Sequence, residues 1–399
     1  MQLSEIFERK IDRVINSAVV VSNQKEDTVK AEIIEYVFTP DLIEKLYYFL
    51  NTVLNKKAGK TGIWINGYYG SGKSHFIKYA HYCLDSANSG KAFEHYLKNV
   101  KVYQENTDFS EVSESNVKLL KNKIEQTNIE NIIFNVEDET DDGSGERLTR
   151  IFLSMLNRFR GYNSSDIPLA ILFEKYLDKK GVFAEFKTRL QEESGYNWET
   201  QAADVASYEL DTILKLAKSL VPEMDTDSLR VKLSNPETFR VTIKDTLIPE
   251  LKDYLAEKDN NYRLIFLVDE ISQYIGNNKE LLLNFQNIIE RVSEDCDNQV
   301  WIACTAQQSL DEVSENVGSI DVNDEFGKIL GRFDTRISLE SADASYITQV
   351  RVLEKNSTGI KELTELYHSN HDAIENQFKL HHDLYKGYNE MNDFILVLC

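Results

Sequence analysis

Two groups of residues in this sequence have the types and the spacing to do chemistry. The first is Gly67-Tyr68-Tyr69-Gly70-Ser71-Gly72-Lys73-Ser74, which fits G-x-x-x-x-G-K-S/T at every defined position. Glycines let successive backbone N–H groups turn inward around phosphate oxygens, and a helix opening at the end of the loop adds its positive N-terminus. Lys73 would then reach the β- and γ-phosphates, the Ser74 hydroxyl would ligate Mg²⁺, and His75 would continue the nucleotide-binding run. The second group is Asp269-Glu270, at the end of the apolar run Leu264-Ile265-Phe266-Leu267-Val268. Carboxylates at the carboxyl end of a buried parallel strand stand where open α/β sheets bind ligands. Asp269 is expected to hold the Mg²⁺ shell and Glu270 to polarise an attacking water. Each group alone also describes an ordinary turn, glycine-rich in one case and acidic in the other. Together they point to binding and hydrolysis of Mg-ATP.

Other polar residues fall where they could join in. Thr305 and Gln307 end the run Val300-Trp301-Ile302-Ala303-Cys304, in position to contact a γ-phosphate or orient water, or simply to turn the chain. Arg332 and Arg336 flank a corner before Ile337-Ser338-Leu339 and suit an arginine finger given to a neighbouring subunit, or a surface ion pair with Asp334 or Glu340. Arg351 is a candidate phosphate-sensing side chain. The acidic stretch 137–146 lacks calcium-loop spacing and reads as a solvated turn. His368, His371, His381 and His382 read as surface residues of terminal helices rather than metal ligands.

The elements that must position these residues follow from period and punctuation. Gly62–Asn66 reads as a buried strand and Ser74–Ala80 as a helix, the context the loop needs. Before them, Leu3–Ile15 has helical spacing, Ala18–Val21 and Glu35–Phe38 read as short strands, and Thr39-Pro40 opens a helix. Asn131–Val136 is the expected second strand. Helical patterns then run over 148–159, 167–177, 183–190 and 208–220, a mostly helical insertion at about 147–262 before the sheet resumes at 263. Tyr346–Leu353 reads as the first helix of a lid. The apolar end Asn392–Cys399 reads as the middle of something longer, so the chain is expected to be an amino-terminal portion. The domains expected are 1–58, an α/β segment packing on the core; 59–345, the ATPase core with its insertion; and 346–399, the start of a truncated helical lid.

Composition sets the bounds. The chain has 399 residues, 42% hydrophobic and 28% charged, enough to bury a large core. No apolar stretch approaches the ~20 residues that span a bilayer, and no leader pattern opens the sequence, so a cytoplasmic location is expected. Four separated cysteines carry no metal-ligand spacing. A net charge of −21 argues against wrapping nucleic acid over the whole surface, leaving a local basic groove or contact through a partner.

The order of strand, glycine loop, helix, strand, Leu267-Val268-Asp269-Glu270, polar-ended strand, arginine corner and helical lid resembles the AAA+ class of P-loop ATPases. It implies a parallel sheet flanked by helices. Several stretches are similar to the P-loop ATPase of BREX bacteriophage-exclusion systems, the BrxC or PglY family. They are Ile11–Ile15, Glu32–Thr39, Trp64–Phe76, Leu267–Glu270 and Gly331–Ile337. That resemblance implies ATP and Mg²⁺ as ligands, an anti-phage defence role, other BREX proteins as partners, homo-oligomer formation, and assembly on or near DNA. Two alternatives stand beside it: a nucleotide-gated scaffold with little hydrolysis, and an origin-recognition or helicase-loader-like ATPase acting on DNA.

Overall fold

Five short apolar runs become five parallel strands. They are β1 (Gly62–Gly67), β2 (Ile129–Asn135), β3 (Arg263–Asp269), β4 (Val300–Ala306) and β5 (Thr335–Leu339). Their spatial order is β2-β3-β4-β1-β5, every neighbouring pair parallel. The computed structural model describes residues 3–10, 20–21, 25–55, 60–105, 112–139, 146–309, 333, 335–340, 347 and 349–380. Strands β3 and β4 are buried along their whole length, which is why they read as unbroken apolar runs, whereas the edge strand β5 alternates buried and exposed.

The pleat divides each strand's side chains between two layers. Ile63, Ile65, Ile265, Leu267, Trp301 and Ala303 face a core built with α1 (Glu26–Glu35), α2 (Pro40–Leu54), α3 (Lys73–Leu84), α4 (Ser89–Glu105) and α5 (Glu114–Gln126). Trp64, Leu264, Phe266, Val268, Ile302 and Cys304 face the opposite core. That core is closed by α6 (Arg147–Phe159) and the helices Ile248–Leu255 and Lys279–Asp295. Because parallel neighbours need crossovers, α3 to α5 carry the chain from β1 over to the far edge, and β3 and β4 then fill the space between.

Thr39 caps α2 as its position before Pro40 predicts, its hydroxyl accepting from Leu42 N–H at 3.2 Å. The amino-terminal region departs from expectation in two places. Of the helix expected over Leu3–Ile15, a 3₁₀ turn forms at Leu3–Ile6, then Phe7 makes an antiparallel bridge to Lys355; residues 11–15 lie outside the described residues. Ile6 and Phe7 bury against Leu363 rather than along a helix of their own. Glu35 ends α1 instead of starting a strand, since Val29 and Ile33, four apart, bury on one face. Tyr36 and Phe38 follow in extended backbone outside the sheet, their rings packed on each other and on Tyr79. Of the short strand at 18–21, Val20 and Val21 are in no strand and the rest is outside the described residues.

The interval 147–262 divides. Helix α6 and the helix Ile248–Leu255 belong to the sheet's own layer, while Leu169 to Met224 bury a separate apolar cluster centred on Phe173, Phe186 and Trp198. Arg160 and Lys175, salt-bridged to Glu250 at 2.9 and 2.7 Å, tie the two together. The pattern expected as one helix over 208–220 begins at Leu210, after the helix Trp198–Tyr208 ends. Of the lid helix expected over Tyr346–Leu353, the described part is a π-type turn at Gln349–Leu353, followed by the helix Ser357–Leu380. His368 and His371 are exposed on that helix; His381, His382 and the run 392–399 lie outside the described residues. Among the described residues no helix is long and apolar enough to cross a membrane.

Candidate functional site

The site is built where β1 stops. Gly67 pairs with Leu339 of β5, and a Cβ there would stand 2.5 Å from Ser71 Oγ and closer still to the Leu339 carbonyl oxygen, so the position admits only glycine. Gly70 and Gly72 turn the chain with φ of 81° and 87°, conformations side chains resist. Ser71 N–H returns to Tyr68 O at 3.1 Å, and Phe76 N–H to Gly72 O at 2.9 Å begins α3. Tyr68 and Tyr69 hold their rings in solvent, 80% and 89% exposed, so these positions offer backbone to the loop's interior. Ser71 Oγ is buried with no hydrogen-bond partner.

Lys73 is buried under this loop. Its ammonium donates to the carbonyl oxygens of Gly67 and Tyr68 at 2.9 and 3.0 Å. Burial lowers its pKa, and the negative Asp269 and Glu270 oppose that shift.

The carboxylates converge on the loop through β4. Strand β4 lies between β1 and β3, and its Thr305 is completely buried. The Thr305 hydroxyl donates to Asp269 Oδ1 and accepts the Glu270 N–H at 2.9 Å. Ser74, the first residue after Lys73, is near enough to Asp269 to stabilise its charged form. Burial raises the Asp269 pKa, while both hydroxyls and Lys73 hold it down. Thr305 therefore acts on the two acidic residues rather than on solvent. Ser74 and Asp269 are the oxygen donors that could take a divalent cation.

Glu270 sits in left-handed backbone, φ 62° and ψ 29°, a conformation uncommon for a side-chain-bearing residue. Two residues that sequence reasoning missed stand beside its carboxylate. Asn135, opposite Asp269 in the β2–β3 register, donates from Nδ2 to Glu270 Oε2 at 3.4 Å. Glu137 N–H in turn donates to Asn135 Oδ1 at 2.9 Å. Burial first, then the negative charge of the neighbouring Glu270, raises the Glu137 pKa. A polar residue ending the apolar run 132–134 was the available signal, but only the pairing shows which carboxylate it meets.

Beside the loop opens a small cleft of about 70 Å³. Tyr36, Val37, Leu42, Ser71, Gly72, His75 and Arg351 are among the residues that line it. Burial, with the nearby positive charges of Arg351 and Lys78, pushes His75 down to about 4, so its ring is neutral at pH 7.

The remaining candidates separate. Gln307 lies just past β4, its N–H donating to Ser272 Oγ at 3.0 Å. Arg336 is exposed on β5 opposite Trp64, three residues short of Leu339, which puts it about 10 Å down the strand from the loop. It is not brought to the loop within this chain, because β5 runs parallel to β1 and reaches the loop's level only at its last residue. Arg332 lies outside the described residues. Among the described residues no group of three or more His, Cys, Asp and Glu is gathered for a metal. No protein-family model matches the chain.

Proposed function

We propose that the protein is a Mg²⁺-dependent P-loop ATPase of AAA+ type. The observation that carries this reading is that Lys73 lies buried under the loop carbonyls of Gly67 and Tyr68 while Thr305, at the end of the strand beside β1, holds Asp269 and the Glu270 backbone at the same edge of the sheet. The ligands fit the residues present. The partnerless Ser71 hydroxyl and the inward loop accept a phosphate chain. Ser74 and Asp269 suffice for Mg²⁺, which takes one or two protein oxygens and completes its shell with phosphate and water. Bound there, the ion would neutralise charge on the phosphates. Lys73 would exchange the Gly67 and Tyr68 carbonyls for phosphate oxygens, Thr305 would keep Asp269 and the Glu270 backbone in place, and Glu270 would take the proton of the attacking water.

Purified protein titrated with ATP and assayed for phosphate release tests this. Lys73→Ala is expected to lose ATP binding. Glu270→Gln is expected to bind ATP and to turn over at least about 100-fold more slowly. Wild-type turnover in Glu270→Gln would remove Glu270 as the base.

The second reading, a nucleotide-gated scaffold with little hydrolysis, is favoured by Asn135 and Glu137 engaging Glu270. Phosphate release with and without DNA separates it from a DNA-acting ATPase of the helicase-loader kind. The resemblance to BREX ATPases extends the proposal to an anti-phage complex whose assembly ATP drives or gates, with other BREX proteins as partners and DNA contacted locally or indirectly. A homo-oligomer would give Arg332 or Arg336 a site in a neighbouring subunit. Light scattering with and without ATP checks this, and a monomer under both conditions would leave these arginines structural.

A further inference from the structure

The cleft beside the loop contains an arginine already engaged by a carboxylate. Arg351 Nε and Nη2 both donate to Glu35 Oε2, at 3.3 and 3.2 Å, with each side chain about one-fifth exposed. Glu35 is the last residue of α1 and Arg351 lies in the turn Gln349–Leu353, and both line the cleft together with Ser71 and Gly72.

That turn is anchored separately. Glu8 N–H donates to Glu354 O at 2.8 Å and Asn356 N–H to Ile6 O at 2.9 Å, on either side of the Phe7–Lys355 bridge. The Asn356 amide donates to the carbonyls of Glu5 and Phe7 at 2.9 and 3.0 Å. Arg9 donates to the Arg351 carbonyl at 3.3 Å. Gly359 fits only because it lacks a Cβ, which would run into Ile6 O. Loss of the Glu35 carboxylate would therefore remove this partner from the guanidinium without releasing the backbone that carries it.

We propose that Glu35 is a positioning residue that occupies Arg351 until a phosphate group in the same cleft takes the guanidinium over. This rests on the nucleotide reading above. The planar fork of arginine matches phosphate oxygens as well as carboxylate oxygens, so the two compete for one geometry. Affinity for a phosphate-bearing ligand is then reduced by the strength of the Glu35 pair, while affinity for a nucleoside without phosphate is not.

Calorimetric titration of ATP and of adenosine into wild type, Glu35→Gln, Arg351→Ala and the double variant tests the exchange, with Glu35→Asn as a second neutral variant should Glu35→Gln fail to fold. Loss of the Glu35 carboxylate is expected to tighten ATP about fivefold or more, to leave adenosine unchanged, and to have no effect on ATP in the Arg351→Ala background. Unchanged or weakened ATP binding, equal tightening of adenosine, or the same gain without Arg351 would overturn the proposal. Wild-type protein that binds no ATP would overturn the nucleotide reading and this proposal with it.

Discussion

Thr305 shows how a single side chain can set a charged site. Its one hydroxyl serves Asp269 as donor and the Glu270 backbone as acceptor, which holds two adjacent acidic residues pointing to different tasks. Gly67 does comparable work by having no side chain, since β5 and the Ser71 hydroxyl occupy the space a methyl group would need. Gly67→Ala is expected to destabilise the fold by about 1–3 kcal/mol and to abolish nucleotide binding, read as a lower urea midpoint and a flat ATP titration. An unchanged midpoint would show that the close approach is not a constraint. Gly67, Lys73, Ser74, Asp269 and Glu270 were all legible as candidate site residues, because loop geometry and strand ends are local properties. Asn135 and Glu137 were not, because their meaning depends on which strand lies beside β2.

At the scale of elements, the layer formed by α3 and α4 carries histidines kept neutral by burial. His81 hydrogen-bonds the Asn131 side chain and His95 the Tyr36 carbonyl at 2.9 Å, and burial lowers both pKa values from 6.5. A folded pKa below the unfolded one means that their contribution is present above about pH 6.5 and is lost as pH falls through the folded values. Buried Asp166 and Glu174, whose pKa values burial raises, act in the opposite sense, so the comparison must be between variants. The melting temperature of wild type is expected to fall more steeply between pH 7 and about pH 5 than that of His81→Asn/His95→Gln. Parallel curves would place the acid sensitivity elsewhere. The strands themselves were largely legible from apolar runs. The expected strand at Glu35–Phe38 failed because aromatic residues in extended backbone can bury against helix side chains without any sheet partner, as Tyr36 and Phe38 do on Tyr79.

For the whole molecule, the two layers of the sheet and the helical cluster from Leu169 to Met224 are separate bodies of apolar packing. Phe186 is fully buried in that cluster, with Phe173 and Trp198 ring centroids 5.2 Å away. Phe186→Ala is expected to weaken the cluster by about 3–5 kcal/mol while ATP binding survives. Limited proteolysis should then cut within 167–233 and spare the sheet. Loss of ATP binding together with the cluster would mean that the bodies unfold as one.

The sequence by itself determined the glycine-rich strand-to-helix loop with its lysine, the Asp269-Glu270 strand end, the α/β class and most of the elements that carry them. These are written in spacings of a few residues, where glycine conformation, side-chain period and capping act. Tertiary structure alone decided that β4 separates β1 from β3, so that Thr305, in the strand beside β1, meets Asp269 and the Glu270 backbone. It also decided that Asn135 meets Glu270, that Arg336 stands away from the loop, and that Arg351 meets Glu35 across 316 positions. Those contacts depend on the order in which crossovers lay strands side by side, and nothing in the local period of a strand specifies its neighbour.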